Sequence, residues 1–165
     1  MVYGSIGKEV VHFEAPPSSN VSAEMKQFLI WLKSTAEGGE SEIKQAAVRS
    51  AITHLYFESI HPFEDGNGRF GRALAEKVLF ESLGSPLLIS ISSVIGSNRN
   101  EYYEALKNAQ RTNEVTEWVL YFLDVLIASQ KQSMENIKFV LAKTKLFDRI
   151  WNQLNSRQLK VLTRC

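Results

Sequence analysis

Cysteine is all but missing from this chain: the single one is Cys165, its last residue, so no intrachain disulfide can form. That excludes the disulfide-stapled secreted scaffolds and leads us to expect the reducing cytoplasm. A charge excess is missing as well. Nineteen Lys plus Arg stand against 18 Asp plus Glu, a formal net charge of +1, which supplies no global field for drawing the chain onto nucleic acid or an anionic membrane. Nowhere do the roughly eighteen consecutive apolar residues of a membrane span occur. The opening MVYGSIGKEV carries neither the basic nor the apolar block of a secretory signal. Internal repeats and low-complexity stretches are absent too.

What is present reads as one globular unit. The length, 165 residues, suits a single core with at most a short appendage, and 44% apolar with 22% charged residues is ordinary globular usage. Val10, Val11, His12 and Phe13 form a β-prone run that Pro16-Pro17-Ser18-Ser19-Asn20 stops. From Val21 the period becomes helical. Met25, Phe28, Leu29 and Leu32 mark a first helix ended by Gly38-Gly39. Ala47, Val48, Ala51, Ile52, Leu55, Tyr56 and Ile60 mark a second. His61-Pro62 ends that one, because a residue before proline is pushed out of helical geometry. A third helix is expected from Asn67 or Gly68 to Gly84. Residues 87–97 read as a loop or short helix. Tyr102, Tyr103, Leu106 and Ala109 mark a fourth helix, and Val115 to Leu126 a fifth that continues into or abuts a sixth through Phe147. The fold class is all-α, a helical bundle with a small β-hairpin near the start.

One segment does not read as packing: His61-Pro62-Phe63-Glu64-Asp65-Gly66-Asn67-Gly68-Arg69-Phe70-Gly71-Arg72. Its Gly and Asn residues let the backbone turn successive N–H groups inward at the entrance of a helix, where orphan donors and the positive dipole end favour an anion. Arg69 and Arg72 share a face there. Each cation at a helix N-terminus costs roughly 0.3–1 kcal/mol, so two together suggest that a polyphosphate is meant to be held. Asp65 supplies the single carboxylate with which Mg²⁺ on substrate phosphates is usually held. His61 is the one ring in the loop able to take a proton near neutral pH. Each feature alone has a plainer reading: a packed or capping His, an ordinary Asp-Gly-Asn-Gly turn, solvated arginines. Their convergence at one helix entrance favours the chemical reading. The literal Gly66-x-Gly68-x-x-Gly71 is not a dinucleotide-fold fingerprint, because a helix rather than a strand precedes it and no acidic residue follows in strand context.

His61 to Arg72 resembles the signature of the Fic domain family, His-Pro-Phe-x-(Asp/Glu)-Gly-Asn-Gly-Arg-x-x-Arg, with every fixed position filled. Val11 to Pro17 resembles the family's flap, Arg99-x-x-Tyr102-Tyr103-x-x-Leu106 its helix after the motif, and Trp118 to Leu123 the helix that follows. The resemblance covers roughly residues 5–130. It implies a Fic domain over 1–135, with the flap at about 8–17 and the active loop at 61–68. Residues 136–165 would be a C-terminal helix and, from Leu154 to Leu162, the opening of a winged-helix module.

The resemblance implies a protein adenylyltransferase, which moves AMP from ATP to a Ser, Thr or Tyr hydroxyl of a target protein and releases pyrophosphate. His61 would be the general base, and Asp65 would bind Mg²⁺. The ATP-binding set would be Asp65, Gly66, Asn67, Gly68, Arg69, Phe70, Gly71 and Arg72, with Tyr102 beside the adenosine and Gln110 at a ribose or base contact. Val11, His12, Phe13 and Glu14 would hold the target by strand addition. Against this, Val10 to Phe13 can simply cap the core, and aromatics at helical spacing are more often core. His12 and His54 read as structural or exposed. Many members carry an inhibitory Ser/Thr-x-x-x-Glu-Gly/Asn helix. Ser5 and Glu9 have its first spacing, but Val10 follows, so that helix is expected upstream or on a partner. Self-modification and a homodimer are compatible with the pattern. No membrane partner is expected, and nucleic acid only if a longer chain completes the winged helix. Two rival classes remain: a same-fold kinase or other phosphotransferase, which Gly68 disfavours, and a non-catalytic nucleotide-binding interaction module, which the intact His61 and Asp65 disfavour.

Overall fold

The computed structural model describes Val2–Tyr3, Val10–Val11, residues 16–84 and residues 88–162. Seven helices occur among them: α1 Ser18–Ser34, α2 Ala46–Ile60, α3 Asn67–Leu83, α4 Ile91–Ser97, α5 Arg99–Ala109, α6 Thr116–Ile150 and α7 Ser156–Leu162, with a 3₁₀ turn at Trp151–Gln153. The architecture is all-α. No helix among the described residues is long and apolar enough to cross a membrane.

Helix α2 is the central strut, packed against α1, α3 and α6. The spacing of its apolar residues predicts one buried stripe, yet Arg49, Ser50, Thr53, His54 and Glu58 are buried too. Polar groups so enclosed need partners, and most have them. Arg49 donates through Nη2 to the Leu32 carbonyl at 2.8 Å, near the end of α1, and through Nη1 to Ser82 Oγ at 3.1 Å, near the end of α3. Ser50 Oγ donates to the Ala75 carbonyl, and Trp118 Nε1 to the Ala51 carbonyl, each at 2.8 Å. These bonds fix α1, α3 and α6 in register on α2. Around them lie two apolar clusters. The larger gathers Ala51, Leu55, Ile91, Leu106, Trp118 and Phe122, and the smaller Phe28, Phe57 and Ile60.

Within residues 87–97, read above as a loop or short helix, Ile91–Ser97 forms the two-turn α4. Ser90 caps it, and Glu76 Oε1 accepts the Ile91 N–H at 3.1 Å, so α3 sets where α4 begins. The fifth and sixth expected helices are one continuous α6. Its first half buries Trp118, Phe122, Val125, Leu126 and Ser129, while Ile137, Phe139, Val140 and Leu141 beyond are exposed. Of the hairpin flap expected over about residues 8–17, Val10–Val11 pairs antiparallel with Val2–Tyr3, Val2 opposite Val11, and residues 8–9 and 12–15 lie outside the described ones.

Candidate active site

The site grows from the end of α2. Pro62 disfavours helical geometry at the residue before it, and His61 takes a left-handed conformation, φ 51° and ψ 57°, while its N–H still bonds the Phe57 carbonyl at 3.1 Å. Among the described residues it is the only non-glycine with positive φ. Such a conformation costs on the order of 1–2 kcal/mol. The turn that follows is fixed by Asn67, which is 2% exposed. Its Oδ1 accepts the Phe63 N–H at 2.9 Å and its Nδ2 donates to the Phe63 carbonyl. Both polar ends of the amide are thereby used, and the first residue of α3 is tied back onto the loop.

Helix α3 opens on Gly66 at φ 90°, with no side-chain cap and no acidic residue in its first turn. Its leading N–H groups therefore stay without intrahelical partners. Two cations stand beside them. Arg69 Nη2 lies 3.0 Å from Asp65 Oδ2 in an exposed pair, which contributes at most about 1 kcal/mol and is easily exchanged. Arg72 donates through Nε to Ser92 Oγ on α4 at 2.8 Å, and a Cβ on Gly68 would come within 3.0 Å of its Nη1. The Arg72 guanidinium thus lies over the start of α3, tethered from α4.

Burial holds the His61 ring below the usual histidine range, against a hydrogen bond to the Glu58 backbone that favours the proton. At neutral pH the ring is uncharged and can accept a proton. Among the described residues no group of three or more His, Cys, Asp or Glu side chains could hold a metal. The lone, exposed carboxylate of Asp65 fits only an ion that brings most of its ligands from phosphate and water.

Several expected site residues are placed elsewhere. Tyr102, expected beside the adenosine, is a core residue, 3% exposed, with its ring against Trp118 and Tyr103 and its hydroxyl 3.0 Å from His54 Nε2. No ring face is left for a base. Gly71 lies on the side of α3 turned to α2, where a Cβ would meet Glu58 and His54. Phe70 is largely exposed, its ring 4.9 Å from that of Phe63. Gln110 ends α5 and reaches Ser59, two residues before His61, at 3.5 Å. Of the expected flap, His12, Phe13 and Glu14 lie outside the described residues, and Val11 is described only in its backbone pairing.

Sequence reading missed Ser92, Glu58 and the partner of His54. No pattern announces Ser92, a serine among serines. Glu58 did carry a signal, a charged residue seven after the core residue Ala51 on a helix, hence on its buried face.

The Fic/DOC family profile matches residues 3–79, the span that contains the α2 end, the loop and the first turns of α3. Over that span this chain matches the Fic/DOC family. Among curated proteins it is 35% identical over 98 residues to a probable protein adenylyltransferase of Aquifex aeolicus, covering 59% of this chain and 27% of that one. It is 47% identical over 68 residues to a Fido domain-containing protein of Dictyostelium discoideum, 41% of this chain and 43% of that one. With the protein adenylyltransferase Fic of Nematostella vectensis it shares 32% over 94 residues, 57% and 20% of the two chains. The chain thus spans less than half the length of these relatives.

Proposed function

We propose that this chain transfers AMP from ATP to a hydroxyl of a protein. The observation that carries the reading is the junction of α2 and α3. A histidine held below its usual range sits in a left-handed turn, six residues before an uncapped helix N-terminus whose first turns carry two arginines. The relatives named protein adenylyltransferases support the same class. In this reading the β- and γ-phosphates rest on the N–H groups at Gly66 to Gly68 and on Arg69 and Arg72. One ring nitrogen of His61 takes the proton of the target hydroxyl as its oxygen attacks the α-phosphorus, and pyrophosphate leaves in line. Asp65, released from Arg69, would hold Mg²⁺, which supplies charge neutralisation on the phosphates when bound. Holding donors in place before the charge develops is what lowers the barrier in such transfers. The target would be held by strand addition at Val11 to Glu14.

The test is incubation with labelled ATP and Mg²⁺, with the label followed onto the chain itself and onto lysate proteins. Label from the α-phosphate is expected, reduced 10²- to 10⁴-fold in His61→Ala, the usual contribution of a positioned base. Label from the γ-phosphate alone would replace this reading with a kinase, and nucleotide binding without any transfer with an interaction module.

A further inference from the structure

Behind the loop, two buried polar atoms have no hydrogen-bond partner: His54 Nδ1 and Glu58 Oε1. Both side chains are sealed, at 0% and 1% exposure. Four residues apart on α2, they share a face, and they converge on one point. A Cβ built on Gly71 would lie 2.5 Å from Glu58 Oε1 and 3.0 Å from His54 Nδ1. The two atoms make no hydrogen bond to each other as they stand, but they are no farther apart than those distances laid end to end, a gap that one bridging water or a turn of the carboxyl closes. His54 Nε2 in turn lies 3.0 Å from the Tyr102 hydroxyl. Glu58, His54 and Tyr102 thus line up from the helix before the active loop to α5.

The charged and titratable surroundings are few. On α2 itself Glu58 faces His54. From α3 comes Arg72, whose positive charge acts on both Glu58 and His54. From α5 come Tyr102 and, against its ring, Tyr103, and from α6 Tyr121 acts on Tyr102. The other α6 side chains against His54, Trp118 and Phe122, are apolar rings.

We propose that Glu58 and His54 hold one proton between them beneath Gly71, and that Glu58 is a positioning residue whose charge sets how far Arg72 is drawn from the phosphates. With the proton present, the Glu58 carboxyl donates to His54 Nδ1, and Nε2–H donates to the Tyr102 oxygen. When that proton leaves to solvent, the imidazole shifts its own hydrogen from Nε2 to Nδ1. Nδ1–H then donates to the carboxylate and the Tyr102 hydroxyl donates to Nε2. The line stays satisfied in both directions, but only the second leaves a buried negative charge on the residue whose field reaches Arg72, in competition with bound phosphate. Burial pushes Glu58 up to about 7, against the pull of Arg72, and lowers His54 to about 4, against the Gly71 backbone, which favours its proton. The exchange therefore falls near neutral pH, with Glu58 as the group that titrates.

The Arg72 half of this inference rests on the proposed phosphate-binding role, so the experiment separates the two halves. In the intact chain with ¹³C-labelled glutamate, the Glu58 carboxyl is expected to titrate near pH 7, with the His54 ¹⁵N shifts changing tautomer over the same range. ATP should raise that midpoint, since coupling between proton and phosphate is reciprocal. By calorimetry, the ratio of the ATP Kd of the wild type to that of Glu58→Gln should grow several-fold between pH 6 and 8.5, because the amide donates to His54 but never becomes charged. A Glu58 midpoint in the ordinary carboxylate range overturns the shared proton. A flat Kd ratio, or an ATP-insensitive midpoint where Glu58→Gln does not fold, overturns the positioning role. If neither protein binds ATP, the phosphate reading fails and the positioning role with it, while the titration still decides the shared proton.

Discussion

Two glycines of α3, three residues apart, do opposite things, and a methyl group at each separates them. At Gly71 a Cβ would stand 2.5 Å from Glu58 Oε1, with the His54 ring 3.0 Å away behind it. Both neighbours are buried and have nowhere to go. Alanine gains about 1 kcal/mol of helix propensity over glycine, but overpacking a closed interior costs typically 1–3 kcal/mol. Gly71→Ala is therefore expected to lower stability by up to about 2 kcal/mol, read as a fall in the urea midpoint. At Gly68 the nearest atom is Arg72 Nη1 at 3.0 Å, the end of a flexible side chain near the surface. There the arginine moves instead of the backbone. Gly68→Ala should leave the urea midpoint unchanged or slightly raised and weaken ATP binding several-fold by calorimetry. Equal effects of the two substitutions on stability would show that the α2–α3 contact is looser than 2.5 Å implies.

The turn between α2 and α3 hangs on one amide. Asn67 satisfies both backbone polar groups of Phe63, so Asn67→Ala leaves two of them unpaired at once. A fully buried orphan costs about 1–3 kcal/mol, and these two are only partly buried. We expect a loss of about 1–3 kcal/mol in denaturation, and a larger loss of transfer activity than of ATP binding, because His61 is carried by the same turn. Asn67→Asp keeps the acceptor and loses the donor, and should fall between. How far this junction could be read from the sequence follows from what makes it. Pro62 and Gly66 impose backbone geometry locally, so the end of α2 at Ile60 is legible, and the start of α3 at Asn67 to within one residue. Periodicity likewise revealed core residues of α2 and α5 such as Leu55 and Leu106, but of the four it marked on α1 only Phe28 is fully buried and Leu29 is half exposed. Contacts between elements that are distant in the chain leave no local mark. The Arg72 bond to Ser92, twenty residues away, and the place of Tyr102 against His54, forty-eight residues away, emerge only when α4 and α5 dock. An aromatic at helical spacing gives the same pattern whether it stacks on a base or on Trp118. The unbroken α6 has a related cause, since no proline or glycine lies between Thr116 and Ile150 to stop a helix once begun.

Burial of Glu58 and His54 gives the folded state two opposed responses to pH. Glu58 titrates at about 7 in the fold against an ordinary value of 4.5. Between those values the folded state binds the extra proton, so this group alone makes stability fall as pH rises. His54 titrates at about 4 against 6.5. Over that interval the unfolded chain binds the extra proton, so stability rises with pH. Each contribution is on the order of 3 kcal/mol across its range, and their slopes have opposite sign from about pH 4.5 to 6.5. The urea midpoint of the intact chain should vary little there, which alone would be mistaken for the absence of any buried titrating group. Single substitutions expose the hidden terms. Glu58→Gln should give stability that climbs from pH 4 to 6.5 and then levels. His54→Asn, which also costs packing, should give stability that declines from pH 4.5 to 7. Parallel pH profiles for the intact chain and Glu58→Gln would place the Glu58 carboxyl in contact with water. The cancellation also bears on why an acid and a histidine can share the centre of a small helical core. Each alone would make the fold sensitive to pH over that interval, and together they leave the scaffold steady there.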